Sequence, residues 1–130
     1  MLDNELYTNL NDKSKKLIDF FYEILVERKT EYFIEALRGY ENLIGNAVNQ
    51  EMRCYFANEF EEYEEEFFGK NGVAFYFDYP AVDKDCIVIL SNKEFYEILQ
   101  SKCQEYISKN NEKEKEIYEI LNNIKVKLHV

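Results

Sequence analysis

Between Gly72 and Leu90 the chain reads GVAFYFDYPAVDKDCIVIL, two runs of aromatic and β-branched residues joined by a short, acidic, proline-led connection. Such residues suit a pleated surface, and Gly69-Lys-Asn-Gly72 supplies a turn from which the first run can depart. A link as short as Pro80–Asp85 leaves no room for a crossover helix, so the two strands are expected to pair antiparallel. Side chains alternate across a strand, which puts Phe75, Phe77 and Tyr79 on one side and Ala74, Tyr76 and Asp78 on the other. Helices over both faces, or an exposed aromatic patch on one, satisfy that alternation equally well.

Helical periodicity flanks this pair. Within residues 12–29, Leu17, Ile18, Phe21, Ile24 and Leu25 recur at helical spacing behind Asn11 or Asp12 as N-cap. Thr30 is placed to cap a second helix, with the stripe Phe33, Leu37, Tyr40, Leu43, Ile44 and Ala47 and an end near Gly45-Asn46. The short link between the two makes them adjacent and antiparallel. Residues 51–57 (EMRCYFA) are β-friendly but ambiguous. Downstream, Ser91-Asn-Lys-Glu94 has the capping-box pattern, followed by the stripe Phe95, Ile98, Leu99, Cys103, Tyr106 and Ile107. Asn110-Asn111 interrupts, and Ile117, Ile120, Leu121, Ile124 and Leu128 mark a last helix. The expected fold is α+β: an N-terminal helix pair, a small antiparallel β-sheet of two to three strands and two C-terminal helices, in one domain over 1–130.

A chain of 130 residues buries roughly two-thirds of its unfolded surface, and its 46% hydrophobic content supplies a core despite a net charge of −10. The N-terminal MLDNELYTNLNDKS lacks the basic and apolar regions of a secretory signal, and no apolar run approaches the roughly 20 residues that span a bilayer. Cys54, Cys86 and Cys103 lack CxxC spacing. A cytoplasmic protein with reduced thiols is expected.

The charge is unevenly placed. Six of the eight residues in Glu59–Glu66 (EFEEYEEE) are glutamates. From Asn58 to Asp85 nine acidic residues stand against two lysines, a net of −7, while the 57 residues before carry −3 and the residues after sum to zero. Phe60, Tyr63 and Phe67 fall at i, i+3 and i+7, which suits one amphipathic helical turn with a solvated acidic face. Against that reading, Glu61/Glu65 and Glu62/Glu66 would be i, i+4 repulsions of about 0.2–0.5 kcal/mol each. A solubilising face also normally mixes in lysine, as EKEKE does near the C-terminus. Interleaved aromatics and one-signed charge suit an interface, where rings anchor and charges steer. The expected charge contacts are Glu61, Glu62, Glu64, Glu65, Asp78, Asp83 and Asp85, with Tyr63, Phe67, Tyr76 and Tyr79 as aromatic anchors.

Other chemistries find less support. General acid–base catalysis usually recruits histidine, and the one here, His129, is the second-last residue. Cys86 heads a strand and Cys103 lies on an apolar stripe, so both read as small buried hydrophobes, and Cys54 takes the same default. There is no GxSxG, no HExxH and no phosphate-cradling glycine loop. The glutamate run lacks the turn-forming glycine of a calcium loop, and Asp78, Asp83 and Asp85 converge only loosely. No basic stripe is present to hold phosphates. The reading is therefore a binding protein with no catalytic residue, no metal and no cofactor; a small enzyme would need a reactive group that is not evident.

The run GVAFYFDYP, acidic turn, CIVIL, SNKEFYEILQ and KNNEKEKEIYEILNNIKVKL, with EFEEYEEEFFGKNGV upstream, resembles immunity proteins of contact-dependent growth inhibition systems. Its nearest likeness is to ribonuclease toxin immunity proteins, and it covers roughly residues 54–128. The resemblance implies a partner made beside it, a polymorphic toxin whose C-terminal domain is a ribonuclease, often of the EndoU type. The immunity protein would bind that basic domain, cover its active site and protect the producing cell, without contacting nucleic acid or membrane itself. The alternative is an acidic nucleic-acid mimic that inhibits another basic protein.

Overall fold

Val73–Phe77 and Cys86–Leu90 form the expected antiparallel pair in a computed structural model that describes residues 5–7, 10–28 and 30–130. In chain order the elements are β1 (Glu5–Tyr7), α1 (Asp12–Arg28), α2 (Thr30–Glu41), β2 (Asn46–Asn49), β3 (Met52–Phe56), β4 (Val73–Phe77), β5 (Cys86–Leu90), α3 (Asn92–Lys109) and α4 (Glu114–Leu128). The sheet order is β1-β5-β4-β3-β2. Strands β2 to β5 pair antiparallel with their neighbours, and the short β1 lies parallel to β5.

The α+β class stands, but the sheet has five strands where two to three are expected from sequence. The ambiguous EMRCYFA is β3, between β2 and β4. The largest correction falls at residues 42–49. The apolar stripe suggests a helix reaching Ala47, yet α2 stops at Glu41. Leu43 adopts a left-handed conformation (φ 56°), the Leu43 N–H donates to the Tyr40 carbonyl and the Ile44 N–H to the Gly39 carbonyl, which closes the helix end. Gly45, expected to cap the helix, serves instead as a point of close approach: a Cβ there would lie 1.9 Å from the Cys54 carbonyl oxygen. That approach lets Asn46–Asn49 join the sheet.

The caps follow the sequence. Asn11 and Ser14 exchange two hydrogen bonds of 2.9 Å, Asn11 Oδ1 accepting from the Ser14 N–H and Ser14 Oγ from the Asn11 N–H. Ser91 Oγ accepts from the Glu94 N–H at 3.1 Å, and Glu94 Oε1 accepts from the Ser91 N–H at 2.9 Å. The capping contact expected of the Thr30 side chain lies outside the described residues.

One face of the sheet carries the core. Met52, Cys54, Phe56, Val73, Phe75, Phe77, Val88 and Leu90 join a single apolar cluster with buried residues of all four helices. Phe75 meets Phe21 edge-on at 5.1 Å, and Phe33 stacks on Tyr106 at 4.6 Å. A small polar chain runs from this core toward its edge at Asn46. Tyr40 donates to Asn46 Oδ1 at 2.6 Å, so its hydroxyl accepts the Tyr22 proton at 3.0 Å, and Cys54 Sγ also donates to Asn46 Oδ1 at 3.0 Å. Burial makes such satisfaction necessary, since an unpaired hydroxyl there would cost about 1–3 kcal/mol. No helix among the described residues is long and apolar enough to cross a membrane.

Candidate docking face

The opposite face of the sheet bears Arg53 and Tyr55 from β3, Ala74 and Tyr76 from β4, and Ile87 and Ile89 from β5, the alternate positions of the same strands. Its apolar cluster of Ala74, Tyr76, Ile87, Tyr55, Phe68 and Ile89 contains no helical residue. The acidic segment between β3 and β4 lies over it. Neither the two-sided helical cover nor the open aromatic patch is realised; a loop covers part of this face.

Local chemistry sets the loop's course. A single 3-10 turn at Ala57–Glu59 follows β3, and Glu59 Oε2 accepts from the Phe56 N–H at 2.7 Å and the Gly45 N–H at 3.0 Å. The first glutamate of the run is thus turned inward, tying the loop to the chain entering β2. Phe60 then packs edge-on against Tyr55 at 5.1 Å and Phe68 at 6.2 Å, while Tyr55 meets Tyr76 at 5.5 Å. Between Phe60 and Phe68 the backbone runs through turns and not through the amphipathic helix that the Phe60, Tyr63, Phe67 spacing allows. The Glu64 N–H donates to the Glu61 carbonyl at 2.9 Å, the Phe67 N–H to the Glu64 carbonyl at 3.1 Å, and Glu64 Oε1 accepts from the Glu61 N–H at 2.8 Å. Like charges one turn apart oppose a helix, and carboxylates that accept from nearby N–H groups favour turns. Gly72 (φ 109°) returns the chain to β4, where a Cβ would lie 2.7 Å from the Leu90 carbonyl oxygen.

The residues expected to make contacts distribute unequally. Glu61, Glu62 and Glu65 are exposed, Glu64 and Phe67 are partly buried, and Tyr63 projects with 87% of its surface open. At the far end of β4, Tyr79 is 70% exposed and Asp83 is exposed; Asp85 Oδ1 accepts from the Tyr79 N–H at 2.7 Å, shaping the β4–β5 turn. Asp78 pairs with Arg53 at 2.7 Å. Tyr76 is only 5% exposed, so its ring forms the floor of the face and offers almost no contact surface of its own. Among the described residues, Glu61, Glu62, Glu66 and Asp83 form no ion pair with lysine or arginine.

The Tyr76 hydroxyl registers the field of both loops. Its pKa is pushed up to about 12, first by burial and next by the Glu66 carboxylate; Arg53 opposes the rise, and Tyr55 and Asp78 add to it. A carboxylate from the middle of the loop and another from the end of β4 therefore act on one point of the helix-free face. Arg53, Tyr55, Phe60 and Phe68 were not among the contact residues expected from sequence. Arg53 had one legible signal: it is the only basic residue in the five strands.

The thiols offer no reactive alternative. All three cysteines are buried. Burial pushes the Cys54 and Cys103 thiols up to about 12, far from the thiolate form needed for attack. Among the described residues no three His, Cys, Asp or Glu side chains gather as metal ligands. Compared with known proteins, residues 14–121 match the model of a family described as CDI immunity protein. No curated protein matches the chain significantly.

Proposed function

Because this chain belongs to the family of CDI immunity proteins, we propose that it binds a cognate ribonuclease toxin domain and blocks its basic substrate cleft with the acidic, helix-free face. Membership in the family supports neutralisation of a toxin; the ribonuclease activity and the docking mode are our reading. The observation that carries it is the acidic segment itself, whose exposed glutamates flank the projecting Tyr63 and whose Phe60 and Phe68 rest on a sheet face with no helical residue in its apolar cluster. A nuclease that holds RNA needs a cationic cleft, and an acidic surface competes for the same ground. Glu61, Glu62, Glu64, Glu65, Asp78, Asp83 and Asp85 would steer the encounter, while Tyr63 and Phe67 would slow release above the Tyr76 floor and Tyr79 would do so from the β4–β5 turn. Charge complementarity raises association from about 10⁵–10⁶ to about 10⁸–10⁹ M⁻¹s⁻¹ at low salt, which matters when an arriving nuclease must be caught before it cuts.

Reversing Glu61, Glu62 and Glu64 to lysine tests the reading. Glu61 and Glu62 are exposed, and Glu64 gives up only its one bond to the Glu61 N–H, so the melting temperature should fall by no more than a few degrees. Association with the toxin domain encoded beside this chain should slow at least tenfold at low salt, and its salt dependence should flatten. An unchanged association rate would remove the acidic segment from the interface. Co-expression with that toxin domain, scored by cell survival and RNA integrity, tests the ribonuclease assignment: survival with no RNA cleavage by the unprotected toxin would refute it.

A further inference from the structure

Arg53 is a cation built into the strands beneath the acidic segment. Its guanidinium lies 5.3 Å from the centre of the Tyr76 ring, and Nη2 donates to Asp78 Oδ2 at 2.7 Å. Ring and carboxylate together hold the side chain in one orientation. Its hydrogen-bonding capacity is nevertheless largely unspent. Of the five guanidinium N–H donors, the bond to Asp78 uses one, Nε is buried without a partner, and one-third of the side chain (33%) remains open to solvent.

Physical consequences follow for any partner. A surface of one charge sign attracts every basic protein and does so in many registers, since Coulomb attraction over several ångströms carries little direction. A fixed cation inside that surface changes this. A lysine or arginine placed opposite Arg53 is repelled, whereas an oxygen acceptor gains a charge-assisted bond with defined geometry. Arginine suits this role better than lysine because its planar fork meets a carboxylate through two parallel donors.

We propose that Arg53 is a specificity-determining residue of the docking face, which selects a basic partner surface carrying one carboxylate, from aspartate or glutamate, opposite the guanidinium. This rests on the helix-free face being the toxin interface. Steering belongs to the glutamates and should appear in the association phase; selection belongs to Arg53 and should appear in dissociation and in rejection of wrong partners.

The test compares wild type with Arg53→Met, which keeps an apolar stem over Tyr76, and with Arg53→Lys. The probes are the adjacent-frame toxin domain and cytochrome c, a non-cognate basic protein. With Arg53→Met the toxin should dissociate about 10–100-fold faster while its association rate changes less than threefold, and cytochrome c should bind several-fold tighter than to wild type. Arg53→Lys should release the toxin several-fold faster yet still reject cytochrome c, because charge is kept and the fork is lost. Toxin dissociation within twofold of wild type in both variants overturns the proposal. So does faster dissociation from Arg53→Met without any gain for cytochrome c, which would reduce Arg53 to a packing role. Should Arg53→Met fail to fold, Arg53→Gln, uncharged and of similar reach, takes its place with the same two readouts. Failure of the glutamate reversals with success here would sink the steering reading only; a toxin that does not bind wild type sinks both.

Discussion

The helix-covered side of the sheet and its helix-free side are made from alternate residues of the same strands, yet they are finished differently. On the covered side Phe75 sits at 0% exposure among Phe21, Tyr22 and Phe95. On the other, Tyr55 and Tyr76 meet a loop through Phe60 and Phe68, and charged groups stand at the edge. Four helices seal their side as a close-packed interior, where each lost methylene leaves a void. A loop held by two phenylalanines leaves carboxylates and tyrosines open to a partner. The first face therefore holds the fold, and the second is the one we propose for recognition.

The contrast can be broken most directly by cutting equivalent aromatics from the two sides. Phe75→Ala should cost about 3–5 kcal/mol in urea denaturation, through lost transfer energy and the cavity left among three rings. A loss below about 1 kcal/mol would mean that the covered face is not the source of stability.

Alkaline pH probes the same interior by charge. Cys54 and Cys103 have folded pKa values raised from 9 to about 12 by burial, so each contributes stability that is whole below pH 9 and is lost as pH climbs toward 12. The loss should reach about 2 kcal/mol per thiol near pH 10.5, at about 1.4 kcal/mol per pH unit. Denaturation midpoints measured from pH 8 to pH 10.5 would check it, and Cys103→Ala should make the fall shallower. A flat profile would show that the thiols are open to solvent.

The smallest effect belongs to the loop side. Phe60→Ala removes an edge-to-face pair with Tyr55 from a partly buried position, so about 1–2 kcal/mol is expected, with the fold kept and cleavage within residues 60–68 by a glutamate-specific protease accelerated. A cost equal to that of Phe75→Ala would erase the distinction between the two faces.

Much of this architecture is written locally. The stripes of α1, α3 and α4 follow the 3.6-residue period, Asn11 and Ser91 announce helix starts by their own side-chain chemistry, and the β4–β5 pair follows from two β-prone runs joined by a link too short for anything else. The concentration of negative charge is likewise a property of the chain and needs no fold to be seen.

Other features belong to no single segment. Asn46–Asn49 becomes a strand because Gly45 lets the backbone approach Cys54, a contact between residues that their own sequence neighbourhoods do not reveal. Glu59 looks like its glutamate neighbours but is turned inward by two N–H groups, one of them from Gly45. Arg53 becomes a positioned cation only where β3 sets it beside Tyr76 and within reach of Asp78. Local periodicity and capping are short-range and are written residue by residue. Close approach of backbones, the inward turn of one carboxylate among six and the setting of one arginine on a ring depend on groups far apart in the chain, and folding alone brings these together.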